Sequence, residues 1–238
     1  LIFDKTGEVK DGFYVVGWPH NPIYLLKGKK PVLFDGGLAL LGGVYRDAIT
    51  SVLKGDSPRV VFITHVHFDH CGAVPYLKKA FIGLEAAASQ KAKDILKRPN
   101  AIKTIQQLSE GAESVLAEFD EARLVRDPFE PFEVERVLRD GDRVDLEDGL
   151  TVHVFATPGH TWDFLSYYVP EKKILVASES AGCALSSGTI STDSLVDFGL
   201  FLSSLKRLAS LDAQILCQGH RYVYVDEDVG AFLQRSLR

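Results

Sequence analysis

Thr-His-Val-His-Phe-Asp-His-Cys-Gly, residues 64–72, closes an apolar run and sets His65, His67, Asp69 and His70 within six positions. A single tetrahedral ion cannot easily use four strong ligands packed so closely, because it wants its donors spread around it. The spacing therefore points to two metals, each needing further ligands from elsewhere in the chain. In an enzyme, a dinuclear centre of this kind most often serves hydrolysis.

Arg59–Thr64, just upstream, is a β-branched run suited to a strand buried on both faces, and it delivers the cluster at its C-terminal end. Before it, Phe13–Val16, Ile23–Leu26 and Pro31–Phe34 read as short strands, and Val44–Leu53 has helical spacing. A helix is expected from Cys71 to Lys79 and a short strand at Phe81–Ile82. Residues 84–121, rich in Ala, Lys, Glu and Gln, read as a helical insertion broken at Arg98-Pro99. Strands are expected again at Arg143–Leu146, Leu150–Phe155, Phe164–Val169, Lys173–Val176 and Ala213–Cys217. Helices are expected at Ser194–Leu208 and Glu227–Leu237. Two successive sets of strands and helices suggest two sheets face to face with helices outside.

The chain's 238 residues allow one large domain, and we expect a single domain over 1–238. A net charge of -5 gives no reason to expect nucleic acid or an anionic membrane as a partner. No apolar stretch approaches the roughly 18–20 residues that span a bilayer. No basic-then-apolar leader pattern opens the sequence. Cys71, Cys183 and Cys217 make no disulfide framework, which favours a reducing compartment and a cytoplasmic location.

The missing ligands have clear candidates. His160 lies in Thr157-Pro-Gly-His-Thr161, a turn after the strand Leu150–Phe155. His220 lies in Cys217-Gln-Gly-His220, a turn after Ala213–Cys217. Both repeat the pattern of the first cluster: apolar strand, small-residue turn, imidazole. A site assembled at one edge of a sheet needs such loop-borne ligands. His153, inside an alternating strand, reads as a sheet residue, and His20 as a loop residue beside Trp18.

His-x-His-x-Asp-His, then Pro-Gly-His-Thr, then a strand ending in an acid, then Gly-His, resembles the metallo-β-lactamase-fold hydrolases. The match in order and spacing runs from Asn21 and Phe34-Asp35-Gly36-Gly37 to His220. The resemblance implies an α/β four-layer αββα sandwich with the metals at one edge between the sheets. It implies that His65, His67 and His160 hold one ion, and Asp69, His70 and His220 the other. Asp35 would orient ligands from behind by hydrogen bonding. One position departs from the pattern: where relatives carry Gly-Asp, this chain has Ser178-Glu179. Glutamate keeps the carboxylate on a longer stem, and Glu179 is expected to be a metal ligand.

The chemistry so implied is a shared water made acidic by two divalent ions, zinc first with iron or manganese open, and oriented by Asp69. The resulting bridging hydroxide would attack a small acyl ester, thioester or lactone, as in the glyoxalase II and lactonase branches. Alternatives are a β-lactamase and a mononuclear-iron persulfide dioxygenase. The substrate-binding residues are not assigned by sequence, and a homo-oligomer stays open.

Overall fold

Short apolar segments punctuated by turns build two sheets. The computed structural model describes residues 1–238. Its chain forms two compact units, one of Thr6–Val137 and one of Leu1–Lys5 with Leu138–Arg238.

The Thr6–Val137 unit holds a seven-stranded sheet. Its order is Gly7–Lys10, Phe13–Trp18, Asn21–Leu26, Val32–Phe34, Val60–Phe62, Glu85–Ser89, Arg136–Leu138. The first four run antiparallel to one another in turn. Val32–Phe34, Val60–Phe62 and Glu85–Ser89 are parallel, so helices must carry the chain back between them. Gly42–Leu53 makes the first return and buries Val44, Tyr45, Ile49 and Leu53 at i, i+1, i+5, i+9. Phe68–Cys71 and Val74–Ala80 make the second. The core of this unit gathers Ile23, Leu25, Leu33, Val61, Ile63, Tyr45 and Leu77.

The other unit holds a second seven-stranded sheet. Its order is Ile2–Phe3, Val223–Val225, Ile215–Cys217, Ile174–Val176, Leu165–Val169, Thr151–Ala156, Arg143–Asp145. Only Ile174–Val176 and Ile215–Cys217 are parallel neighbours, and the helix Phe198–Ala209 makes the return between them. Its buried face packs Phe201, Leu205 and Leu208 with Leu175, Leu216 and Phe232. The α/β class expected from the sequence, two sheets with helices, is what the chain adopts.

Three expectations need correction. The first turn of residues 84–121 is not helical: Glu85–Ser89 is a strand, parallel to Val60–Phe62, and Phe81–Ile82 is not one. Alanine's helix preference is a weak prior. Ala86, Ala87 and Ala88 are fully buried in the sheet, where ladder hydrogen bonds and flat packing outweigh it. Helices do follow, at Gln90–Ile95 and Pro99–Gly111, broken at Arg98-Pro99 as expected. The helix placed at Ser194 starts only at Phe198, because the Asp197 carboxylate accepts the Leu200 N–H and caps it there (2.8 Å).

Candidate metal centre

Each parallel strand pair delivers its functional loops at the C-terminal edge, where open α/β sheets characteristically bind ligands. Phe34 and Phe62 are register partners, so Asp35 and the loop running to His70 leave the first sheet side by side. Val176 and Cys217 are partners in the second sheet, so Glu179 and His220 follow from adjacent strand ends. Thr151–Ala156 is antiparallel to Leu165–Val169, which is antiparallel to Ile174–Val176. The His160 turn therefore leaves by that same edge.

In the Thr6–Val137 unit one buried carboxylate organises the cluster. Asp35, held at φ +61°, accepts the Thr64 N–H (2.8 Å) and the Thr64 hydroxyl (2.9 Å). Its other oxygen faces His70 Nδ1 at 3.0 Å. Thr64 Oγ1 in turn lies 3.0 Å from His65 Nδ1. The hydroxyl has one proton and gives it to Asp35, so His65 Nδ1–H must be the donor to Thr64. His70 Nδ1, facing the carboxylate, is likewise a donor. The network thus assigns both imidazoles the tautomer whose Nε2 keeps its lone pair for a metal. Asp35, Thr64, His65 and His70 are all buried. The His65 ring centroid lies 4.4 Å from those of both His67 and His70.

Asp69 sits in the first turn of Phe68–Cys71, with Oδ2 3.7 Å from His70 Nε2. Its carbonyl accepts the Asn21 side-chain N–H (3.0 Å), which fixes the turn. Asn21 is pinned by the Tyr45 hydroxyl, which lies 2.9 Å from the Asn21 carbonyl and also accepts the Leu38 N–H. Burial above all pushes the Tyr45 phenol far up, so it stays a hydroxyl donor. Sequence reasoning aligned Asn21 with the motif but gave it no task, and it missed Thr64 and Tyr45. Only Thr64 carried a signal, a hydroxyl adjacent to a candidate ligand histidine.

In the other unit, His160 follows Gly159 at φ +139°, where a Cβ would collide with the Phe201 backbone. His160 Nδ1 lies 2.5 Å from the Asp193 carbonyl, which can only accept, so Nδ1 carries the proton and Nε2 is again the unprotonated nitrogen. Buried hydroxyls tie this turn to the next. Ser180 donates to the Ala177 carbonyl (2.6 Å), and Ser166 bridges Ser180 (2.7 Å) and Thr157 (2.8 Å). Glu179, buried in the turn Ser178–Ala181, accepts the Ser178 hydroxyl at Oε2 (2.6 Å). Its Oε1 lies 3.1 Å from His220 Nε2. Glu179, the position where the motif departs, is thus aimed at the last candidate ligand.

Gly219 makes that approach possible, since a Cβ there would run into the Glu179 carboxylate. Gly219→Ala should therefore displace Glu179 and reduce bound metal, with a stability loss of about 1–3 kcal/mol from overpacking. Elemental analysis alongside thermal melting checks this, and full metal content in the variant would refute it. Burial, with the Glu179 charge adding, pushes the Cys183 thiol well up, so it stays protonated and packs. Cys217 is raised by burial likewise. His153 stays in the sheet opposite Tyr168, and His20 packs on the Trp18 ring at 5.2 Å. Tyr224 stacks on Phe232 at 4.4 Å and belongs to the core.

These donors suit a divalent ion. His65, His67, Asp69, His70, His160, Glu179 and His220 are residues able to hold metal. Three of the imidazoles are oriented through Nδ1, as metal-ligating histidines are. Imidazole mixed with carboxylate suits zinc, iron or manganese.

Comparison with known proteins agrees with that geometry. The chain is 26% identical over 233 residues to a Beta-lactamase-like protein 2 homolog of Caenorhabditis elegans, covering 92% of this chain and 65% of the relative. It is 28% identical over 166 residues to a Hydroxyacylglutathione hydrolase of Bartonella tribocorum, covering 68% and 48%. The chain thus spans from just under half to about two thirds of these relatives' length. The crystal structure of ST1585, an archaeal metallo-beta-lactamase superfamily protein from Sulfolobus tokodaii, superposes with a TM-score of 0.71. That match has 21% identity, covers 96% of this chain and 85% of the other, and shows the fold. The Lactamase_B family model matches residues 16–220, a span holding every candidate ligand from His65 to His220, and the chain belongs to the metallo-beta-lactamase superfamily.

Proposed function

We propose that this chain is a two-metal hydrolase of acyl thioesters, with small esters and lactones as chemically related substrates. His65, His67 and His160 take one ion, Asp69, His70 and His220 the other, and Glu179 supplies a carboxylate to the second sheet's share. The observation that carries the reading is the buried Asp35 carboxylate, which sets the tautomer of His65 through Thr64 and of His70 directly. So much buried hydrogen bonding spent on ring orientation is what metal ligation demands. Membership of the superfamily and the hydroxyacylglutathione hydrolase relative support a hydrolase.

When bound, two divalent ions supply the acidity that makes water a nucleophile near neutral pH. The protein's own groups do the rest. Asp69, its turn anchored by Asn21, orients the attacking water and accepts its proton. Asp35 and the Asp193 carbonyl keep the imidazoles from rotating, so no reorganisation is needed as charge develops. A thiol of pKa about 8.5 leaves as thiolate without prior protonation, so a thioester asks less of the site than an amide. Exposed apolar side chains next to the His160 turn suit an acyl substrate. Val196 and Asp197 donate their N–H groups to the Gly159 carbonyl. Beside them Leu195 and Phe198 are both more than half exposed, an apolar pair at the surface that a ligand's acyl group could cover.

The metal-loaded protein is expected to hydrolyse acyl-coenzyme A or acyl-N-acetylcysteamine thioesters, and His65→Ala to lose that turnover together with metal. Wild-type rates from a His65→Ala preparation shown to be metal-free would sink the reading.

A further inference from the structure

A cavity of about 750 Å³ opens beside His67 within the Thr6–Val137 unit, a size that falls among small-molecule sites. One wall is the loop and first turn that carry the metal-ligand candidates, through Val66, His67 and Phe68. The facing wall is the helix Pro99–Gly111, which packs against Phe68–Cys71. Ala101, Ile105 and Leu108 sit at i, i+4 and i+7, one continuous apolar stripe along that helix, and all three line the cavity. Leu108 is 49% exposed. A soluble helix normally turns such a stripe into the core, yet here part of it faces open space with His67 across from it. Arg98, at the start of the helix, is the one Lys, Arg, Asp or Glu in the lining, and it is exposed.

We infer that this cavity holds the alkyl chain of the acyl group, so that the protein favours thioesters of medium and long aliphatic acids over acetyl thioesters. The inference rests on the hydrolase reading for its reaction, and on the cavity alone for its ligand. The lining is mostly methyl and methylene, with Asn100 and Thr104 its uncharged polar side chains on the helix wall, so it recognises length and apolarity more than a functional group. His67 in the wall sets the direction: the carbonyl end lies at the metal side, and the chain runs along the Ala101–Leu108 stripe. Each methylene buried there should raise kcat/KM by about fourfold until the stripe is covered.

The test uses the metal-loaded full chain. A conjugated-polyene fatty acid, whose fluorescence rises on leaving water, serves as the binding probe, with decanoate and acetate as competitors. Acetyl-, hexanoyl- and decanoyl-coenzyme A serve as substrates. We expect saturable probe binding at one site per chain, displaced by decanoate far better than by acetate, and kcat/KM rising with chain length. Ala101→Trp fills the cavity, and Leu108→Asp puts a charge on the stripe at a half-exposed position that tolerates it. Each should weaken probe binding at least tenfold and lower the decanoyl-to-acetyl ratio of kcat/KM by a similar factor, with metal content and melting temperature confirming the fold. Absent probe binding, or binding equal in wild type and in both folded variants, overturns the cavity assignment whatever the turnover. Probe binding that responds to both variants, with no thioester turnover by wild type, upholds the cavity and overturns the hydrolase reading instead.

Discussion

Asp69→Asn is expected to lower kcat/KM for thioester hydrolysis by about 10²–10⁴-fold, the range typical of removing a positioned proton acceptor. The substitution is nearly isosteric, so the turn Phe68–Cys71 and its anchor from Asn21 to the Asp69 carbonyl should survive. What disappears is one negative charge and its ability to accept a proton. Both matter at this position, because Asp69 has its carboxylate 3.7 Å from His70 Nε2 and belongs with His70 to a group of side chains able to hold a metal. Steady-state kinetics on metal-loaded protein, with metal content measured in the same sample, separates the two losses. A rate within a few-fold of wild type would remove Asp69 from the chemistry.

Asp35→Ala should have the largest effect on the folded protein. The Asp35 carboxylate collects the Thr64 N–H, the Thr64 hydroxyl and His70 Nδ1, all in buried surroundings. Alanine leaves those donors facing a void. Removing one partner of a buried charged network costs about 3–5 kcal/mol, and in a chain of this size that lowers Tm by on the order of 10 °C. Freed rings also lose their fixed tautomers, which should weaken metal binding about 10–100-fold. Thermal melting and metal titration read the two consequences independently. A variant with unchanged Tm and unchanged affinity would mean that Asp35 does not organise the cluster.

The ligand candidates were legible in the sequence because metal coordination restricts residue type and spacing tightly. Little besides a metal site puts His65, His67, Asp69 and His70 so close together. The strands before them were legible for the same kind of reason, since Ile23–Leu26 and Val60–Phe62 are too short and too apolar for anything but buried strands. Glu85–Ser89 was not legible, because three alanines favour a helix locally and only the neighbouring strand Val60–Phe62 makes them a ladder. The supports behind the ligands were mostly hidden too. Tyr45 lies 24 residues from the Asn21 it holds, and nothing local links them. The carbonyl that orients His160 belongs to Asp193, and a backbone acceptor has no signature in residue identity. Glu179 shows the opposite case. Its departure from the familiar pattern was visible at once, but its approach to His220 depended on the turn Ser178–Ala181 and on a glycine at 219 that leaves room for the longer side chain.

The proposed chemistry needs two ions held by the two sets of candidate ligands, with Glu179 among them. Elemental analysis of the purified protein after exhaustive dialysis against metal-free buffer, for wild type and Glu179→Ala, tests it most directly. Two divalent ions per wild-type chain are expected, and fewer than two in the variant. A single iron per wild-type chain, or two ions retained in full by Glu179→Ala, would contradict it.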